Sequence, residues 1–141
     1  MNLLSLKIVS PEKLVFEDTE LISVTLPTED GEITILPGHI PLVAVIIPGE
    51  IVVRKKGSET SLVTTKGFIK LEKSGEVFVL SDYAVRSEDV EIAKAEEAKK
   101  KAEAAMKEKL SDKDFVIAEA ELRKTLLELK VAQRRKSKVR I

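Results

Sequence analysis

The 141-residue chain has no cysteine, no tryptophan and one histidine. The missing cysteines exclude disulfides, thiolate nucleophiles and cysteine-containing zinc sites, and one histidine excludes a His-rich metal centre within the chain. Aromatic residues make up only 4%, so any core must be aliphatic. Neither charge sign is in excess: Lys+Arg 24 and Asp+Glu 24 cancel, leaving no bulk attraction to nucleic acid or an anionic membrane. The longest apolar run, Ile40 to Pro48, falls far short of the roughly 20 residues a spanning helix needs. The start, MNLLSLKIVSPEKL, lacks the basic and apolar regions of a secretory signal. These absences predict a soluble protein that meets a membrane only through partners. Phosphate loops, dinucleotide fingerprints and nucleophile elbows are missing too, and His39 has no oriented catalytic partner nearby in sequence. The expectation is a chain with no catalytic residues, no metal and no resident cofactor.

What is present divides near residue 87. Before it, short runs alternate apolar and polar residues: Leu4 to Ile8, Leu21 to Leu26, Glu32 to Ile35, Gly67 to Leu71 and Glu76 to Leu80. Turn residues separate them at Ser10-Pro11, Pro27 to Gly31, Pro48-Gly49, Lys56-Gly57-Ser58 and Lys73-Ser74-Gly75. Period-two runs at this spacing predict an antiparallel β-sandwich or barrel. After Arg86 the period becomes helical. Ser87-Glu88-Asp89 offers an N-cap with acids in the first turn, ahead of an alanine-rich helix over Val90 to Lys109. One narrow stripe joins Ile92, Ala95, Ala98, Ala102 and Ala105. Leu110 to Lys113 breaks the pattern and supplies a second cap, and a second stripe joins Phe115, Ala118, Leu122, Leu126 and Leu129. Small residues facing large ones suit an antiparallel helical hairpin. The fold class is therefore α+β in two domains: a β-sandwich over 1–84, a two-helix hairpin over 88–135 and a basic tail over 136–141. Residues 1–87 carry 9 basic and 12 acidic side chains; residues 88–141 carry 15 and 12. A two-helix hairpin is a poor folding unit alone, so it must dock on something.

The stretch GEITILPGHIPLVAVIIPGEI, residues 31–51, holds the histidine. Pro37 and Pro41 fix φ and withhold backbone donors, and Gly38 permits a sharp turn. A stiff corner is expected between Ile33–Leu36 and Leu42–Ile46. The apolar run Ile40–Ile47 is expected to be mainly core strand.

Glu29-Asp30-Gly31-Glu32-Ile33-Thr34-Ile35-Leu36-Pro37-Gly38-His39, the opening Leu6 to Glu12, Lys66-Gly67-Phe68 and Leu80 to Arg86 resemble the epsilon subunits of bacterial and chloroplast F-type ATP synthases. The alanine-rich helix Ala93 to Ala105 and the second helix Asp114 to Val131 follow in the order that family uses. The resemblance spans nearly the whole chain. It implies a rotor subunit of the central stalk on the cytoplasmic face of the bacterial plasma membrane, peripheral and performing no bond chemistry. The implied partners are the gamma subunit, the c-ring and, through the helices, the catalytic alpha and beta subunits; no nucleic acid is implied. The hairpin would inhibit ATP hydrolysis. The docking turn carried over from the family comprises Glu29, Asp30, Gly31, Glu32, Pro37, Gly38 and His39, all expected at one end of the sandwich. The rival reading is an unrelated β-sandwich adaptor whose hairpin binds a cytosolic helical partner.

Some members of that family bind regulatory ATP through an acidic and an arginine residue on the first helix and basic residues on the second. The matching positions are Val90, Glu91, Lys94, Ala95 and Lys124, with Ile117 and Glu128 where basic residues would stand. Lysine cannot supply the planar fork of arginine, and Glu128 repels an anion, so weak or absent ATP binding is expected. An inhibitory basic face is expected from Arg123, Lys124, Lys130, Arg134, Arg135 and Lys136.

Overall fold

The computed structural model describes residues 3–108 and 111–139, the side chains of 136–139 excepted. Lys109, Leu110, the Lys136 side chain and the last two residues of the basic tail lie outside the described residues. Strands come first: β1 (Leu4–Val9), β2 (Leu14–Thr28), β3 (Gly31–Ile35), β4 (Leu42–Ile46), β5 (Gly49–Lys55), β6 (Ser58–Thr64), β7 (Gly67–Leu71), β8 (Glu76–Ser81) and β9 (Ala84–Arg86). A single 3₁₀ turn (Ser87–Asp89) and the helices α1 (Ile92–Met106) and α2 (Asp112–Val139) follow. The chain forms two compact units, Met1–Arg86 and Ser87–Ile141.

Strand pairing in the first unit gives two layers joined through β2. Its first half pairs with β1 from Leu14 to Leu21, and β1 continues through β8 and β7 to β4. Its second half lies between β3 and β5, and that layer continues through β6 to β9. To change layers a strand must bend, and β2 bends by bulging. The register slips between Leu4 and Leu6 on the β1 side and between Leu21 and Ser23 on the β5 side. Glu20 lies between, with φ 59, the sole non-glycine in the left-handed region among the described residues. Asp18 fastens the crossing: its carboxylate accepts from Lys55 Nζ at 3.0 Å and from the Thr19 N–H at 2.8 Å.

The core is aliphatic, as the composition requires. Leu4, Leu6 and Ile8 of β1, Ile69 and Leu71 of β7, and Val77 and Val79 of β8 enter it from one layer. Val24, Leu26, Ile51, Val53 and Leu62 enter it from the other. Each such side chain contributes on the order of 1.5–3 kcal/mol by leaving water. The alternating runs named from sequence are strands here, but three segments lacked that signal. The first half of β2 reads Leu14-Val15-Phe16-Glu17-Asp18, where the bulge breaks the alternation. β5 and β6 bury neighbours in succession, Ile51-Val52-Val53 and Ser61-Leu62-Val63-Thr64, so period two disappears. A hydroxyl cluster closes this region: Thr64 Oγ1 lies 2.8 Å from Ser81 Oγ, which donates to the Tyr83 carbonyl at 2.6 Å.

The second unit departs from expectation at its start. Ser87 is buried in the 3₁₀ turn rather than capping a helix. α1 begins at Ile92, behind Glu91 in extended backbone (φ −84, ψ 104) that makes no side-chain cap bond. The second cap is where sequence put it: Ser111 Oγ accepts the Asp114 N–H at 3.2 Å. The packed stripes shift. On α1, Ile92, Ala95, Ala102 and Ala105 of the expected stripe are shielded, joined by Lys99 and Met106, while Ala98 is exposed. On α2, Phe115 and Leu126 are exposed, and Thr125, Leu129 and Ala132 are buried. α1 packs along α2, and α2 also touches the 3₁₀ turn. At 1.5 Å per residue α2 is roughly 42 Å long and α1 roughly 22 Å, so α2 outruns its mate.

Two outcomes follow. A Cβ on Gly67 would lie 2.0 Å from the Leu80 carbonyl oxygen and 2.9 Å from Ser81 Cα, backbone that cannot step aside. Gly67→Ala is expected to lower stability by more than about 2 kcal/mol in urea melts, with the strand content retained. The Lys55 hydrogen bond, then that of Thr19, holds the Asp18 carboxyl below its ordinary 3.8. A folded-state pKa lower than the unfolded one stabilises above the ordinary value and is lost as pH falls through the folded value. The stability gap between wild type and Asp18→Asn, below about 1 kcal/mol for so exposed a pair, should hold near neutrality and close below pH 3.8.

Candidate docking surface

Register turns the first layer's outer face into rows. Val45, Phe68, Leu80 and Val9 stand side by side across β4, β7, β8 and β1. The next row is Val43, Lys70, Phe78 and Lys7. Val43 is 72% exposed, Leu80 61% and Phe68 58%. Side chains of this size at these exposures, gathered on one sheet face, mark an interaction surface rather than scattered surface apolars. Against the first row lies an open groove of about 490 Å³, edged by Ser10, Pro11, Lys66 and Asp82. Gly67 lines it.

This corrects the expectation that Ile40–Ile47 is core strand. Only Ile46 is buried, while Leu42 and Ala44 pack partly on the core. Val43 points outward by simple alternation, and Ile40 and Ile47 lie beyond the strand ends. An apolar run reads as core when both faces are covered; here one face is open.

The carried-over docking turn separates into two places. Glu29, Asp30 and Gly31 form the β2–β3 hairpin turn, where Thr28 Oγ1 donates to the Gly31 carbonyl at 2.7 Å and Gly31 takes φ 108. Glu32 adjoins it, paired with Pro27. The Glu29 N–H donates to the Val45 carbonyl at 3.1 Å and the Ile47 N–H to Pro27 at 3.1 Å, which brings the β4 end alongside. The acids of this turn are exposed. Pro37, Gly38 and His39 lie at the opposite end of β3, roughly 14 Å away at 3.4 Å per residue. They are not at the expected shared end, because a whole strand intervenes.

Their role is architectural. Leu36 to His39 is a type II turn: proline at its second position, Gly38 at φ 85, and the His39 N–H donating to Leu36 at 3.1 Å. It carries the chain from β3 in one layer to β4 in the other. His39 Nδ1 lies 2.6 Å from the Ile40 carbonyl oxygen, which can only accept, so the ring donates to it. The ring supports a turn that the backbone already makes.

The hairpin positions are dispersed as well. Glu91 and Lys94 are exposed and paired at 3.3 Å, Val90 lies before α1, and Ala95 faces its packed side. Lys124 pairs with Glu121 at 3.1 Å, and Arg123 with Glu119 at 2.6 Å. The basic residues do not share one face. Arg123, Lys130 and Arg134, spaced by seven and eleven from the first, align on one side of α2; Lys124 and Arg135, eleven apart, align on another. The apolar face of the first layer went unnoticed in the sequence as a site. Its signal was the pair of aromatic residues, Phe68 and Phe78, at the outward positions of adjacent strands.

His39→Ala is expected to change stability by less than about 0.5 kcal/mol. Gly38→Val, forced to φ 85, should cost about 1–2 kcal/mol. Thermal or urea unfolding of both variants checks the contrast.

Comparison with known proteins agrees with this two-unit plan. Residues 3–87 match the family described as ATP synthase, Delta/Epsilon chain, beta-sandwich domain, and residues 88–133 match its long alpha-helix domain. The chain is 40% identical over 137 residues to an ATP synthase epsilon chain of Dehalococcoides mccartyi, covering 96% of each. It is 38% identical to the Chloroflexus aggregans epsilon chain, again over 96% of each. The Ruminococcus albus epsilon chain is 33% identical, with 96% of this chain and all of that one covered. Its fold is shared by a chain of the Euglena gracilis mitochondrial ATP synthase in a structure of OSCP, F1 and c-ring. The TM-score is 0.69 at 19% identity, covering 99% of this chain and 82% of that one. A chain in the central stalk and c-ring structure of the Tetrahymena thermophila enzyme gives 0.58 at 13% identity, covering 92% and 96%. With both domains matched in order and along nearly its whole length, the chain belongs to the ATP synthase delta/epsilon family.

Proposed function

We propose that this chain is the epsilon subunit of a bacterial F-type ATP synthase, a non-catalytic part of the rotor. In this reading the outer face of β4, β7, β8 and β1 seats the gamma subunit. The β2–β3 turn with Glu29, Asp30 and Glu32 meets polar loops of the c-ring. The observation that carries the reading is the apolar face itself: Val43, Phe68 and Leu80 would be costly to leave in water unless a permanent partner covered them. The adjacent turn is acidic and hydrated, which suits a contact that carries load sideways without deep burial. Torque then passes through a subunit gripped on one face by the stalk and at one end by the ring. The subunit lies on the cytoplasmic side, joined to the membrane through the complex. Among the described residues no helix is long and apolar enough to cross a bilayer.

Regulation falls to the second unit. The helices inhibit ATP hydrolysis by engaging the catalytic alpha and beta subunits, with Arg123, Lys130 and Arg134 presenting one basic face. Regulatory ATP is not needed for this, and Lys94 and Glu128 argue against tight nucleotide binding.

Phe68→Glu combined with Leu80→Arg should abolish co-purification with gamma while leaving the thermal midpoint of the isolated chain within a few degrees. A variant that still co-purifies removes the apolar face from the contact, and a wild-type chain forming no gamma complex favours the adaptor reading. Reversing Glu29, Asp30 and Glu32 to lysine should keep gamma binding but reduce proton- or sodium-driven ATP synthesis. Unimpaired synthesis would remove the turn from the ring contact. Titration calorimetry with ATP–Mg is expected to give no micromolar binding, and deletion of residues 87–141 is expected to raise ATP hydrolysis by the assembled enzyme.

A further inference from the structure

The apolar face of the first layer has a shape as well as a composition. Along the strands it is short. After the row of Val45, Phe68, Leu80 and Val9 comes the row of Val43, Lys70, Phe78 and Lys7, already half lysine. The next outward pair, Glu76 and Ser5, is polar. Two rows two residues apart cover only about 7 Å of strand. Across the strands the same surface is long. The first row is apolar at all four positions, and three gaps of about 4.8 Å carry it roughly 14 Å from β4 to β1. The groove follows this long axis: all four side chains line it, while Ser10, Pro11, Lys66 and Asp82 edge it beyond the strand ends. An occupant that covers the row must therefore lie across the strands.

The pitch of the row decides what kind of occupant fits. An extended segment turns a side chain to one face every second residue, about 6.8 Å apart. Four of them need about 20 Å and fall out of step with the strands. A helix turns one to the same face every third or fourth residue, about 4.5 or 6 Å along its axis. Positions i, i+3, i+7 and i+10 span about 15 Å and keep one side chain over each strand. The second row adds a charge requirement. Its two lysines, one on each side of Phe78, stand about 9.6 Å apart, close to the roughly 10.5 Å between helix positions seven residues apart. Glu72 reaches Lys70 at 3.1 Å, but the Lys70 side chain is still 61% exposed and can meet a second carboxylate.

We infer that the occupant is a single helix of the gamma subunit lying across β4, β7, β8 and β1. It places apolar residues at i, i+3, i+7 and i+10 in the groove and carboxylates seven residues apart toward Lys70 and Lys7. The inference rests on the reading that gamma covers this face, and adds the form and chemistry of the covering segment.

The chain has no cysteine, so Val45→Cys, Phe68→Cys, Leu80→Cys and Val9→Cys each introduce a single thiol. In the complex with a gamma subunit freed of its own cysteines, each is oxidised against single cysteines scanned along the gamma segment that Leu80→Cys captures. A disulfide needs Cα atoms within about 7 Å, so the best partner marks the register. The best partners should advance by three or four residues at each step from Val45 through Phe68 and Leu80 to Val9, about ten in all. Steps of one or two residues show an extended occupant and overturn the helix. Partners scattered over separate parts of gamma overturn it too, as does the absence of any disulfide in a complex that has formed. If the wild-type chain forms no complex with gamma, the underlying reading falls and the helix with it. Lys7→Glu combined with Lys70→Glu should slow association with gamma about tenfold at low salt, with the difference shrinking as salt is raised. Association at the wild-type rate overturns the carboxylate assignment.

Discussion

β2 is the constraint on which the first unit depends. One strand of 15 residues serves both layers, so whatever fixes its bend fixes how the layers face each other. Two register slips and a left-handed Glu20 make the bend, and Asp18 ties it to Lys55 on β5. A strand that pairs with β1, β3 and β5 cannot slide relative to one without breaking another. That rigidity matters for a body proposed to transmit torque. A sandwich whose layers could shear would absorb work that one locked by a shared strand must pass on.

The outer faces follow from the same layering. Alternation sends Leu4, Leu6, Ile69, Leu71, Val77 and Val79 inward, which leaves Val9, Phe68, Phe78, Leu80 and Val43 outside. Such a sheet is apolar on both sides and would be a liability in an isolated monomer. The other layer differs. Its outward positions on β2 and β3 are Ser23, Thr25 and Thr34, with Thr25 and Thr34 sharing a hydrogen bond at 2.9 Å and Arg54 donating to Thr25 at 3.2 Å. Hydroxyls and a guanidinium tolerate water as readily as contact. The first layer's outer face is apolar and exposed, whereas Ser23 and Thr25 on the second layer's are buried.

How much of this was legible beforehand depends on where the physics lies. Period two was read correctly wherever one face is covered and the other open, as in β1, β7 and β8. It failed at β5 and β6, where residues on both faces are buried, and in the first half of β2, where a bulge resets the alternation. For Ile40–Ile47 the composition was right and the inference of burial wrong, because a continuous apolar run does not say whether its second face is covered by the same chain. Proximity along the sequence also misled. Glu32 and His39 are seven residues apart, yet five residues of β3 carry them to opposite ends. The Leu-Pro-Gly-His turn was read well as a rigid corner; that it bridges two layers could not be known until the partners of β3 and β4 were.

The two units hold themselves together by different means, and that difference bears on regulation. The first unit rests on aliphatic contacts between residues distant in sequence, which are lost together or not at all. The second rests largely on local terms. On α1 only Ala102 is buried, and the helix is laced by Glu91–Lys94, Glu97–Lys101 and Lys99–Glu103, exposed pairs worth a few tenths of a kcal/mol each. Local terms survive a change of surroundings, since a helix carries its own hydrogen bonds and ion pairs wherever it goes. A small buried stripe also costs little to uncover. A helix pair of this kind can leave one packing and enter another while remaining helical, whereas a β layer cannot. Arg86, fixed over Phe16 at the last strand, marks where the first behaviour ends. From Ser87 onward the helices carry their own hydrogen bonds and ion pairs, which suits the regulatory role proposed for this unit.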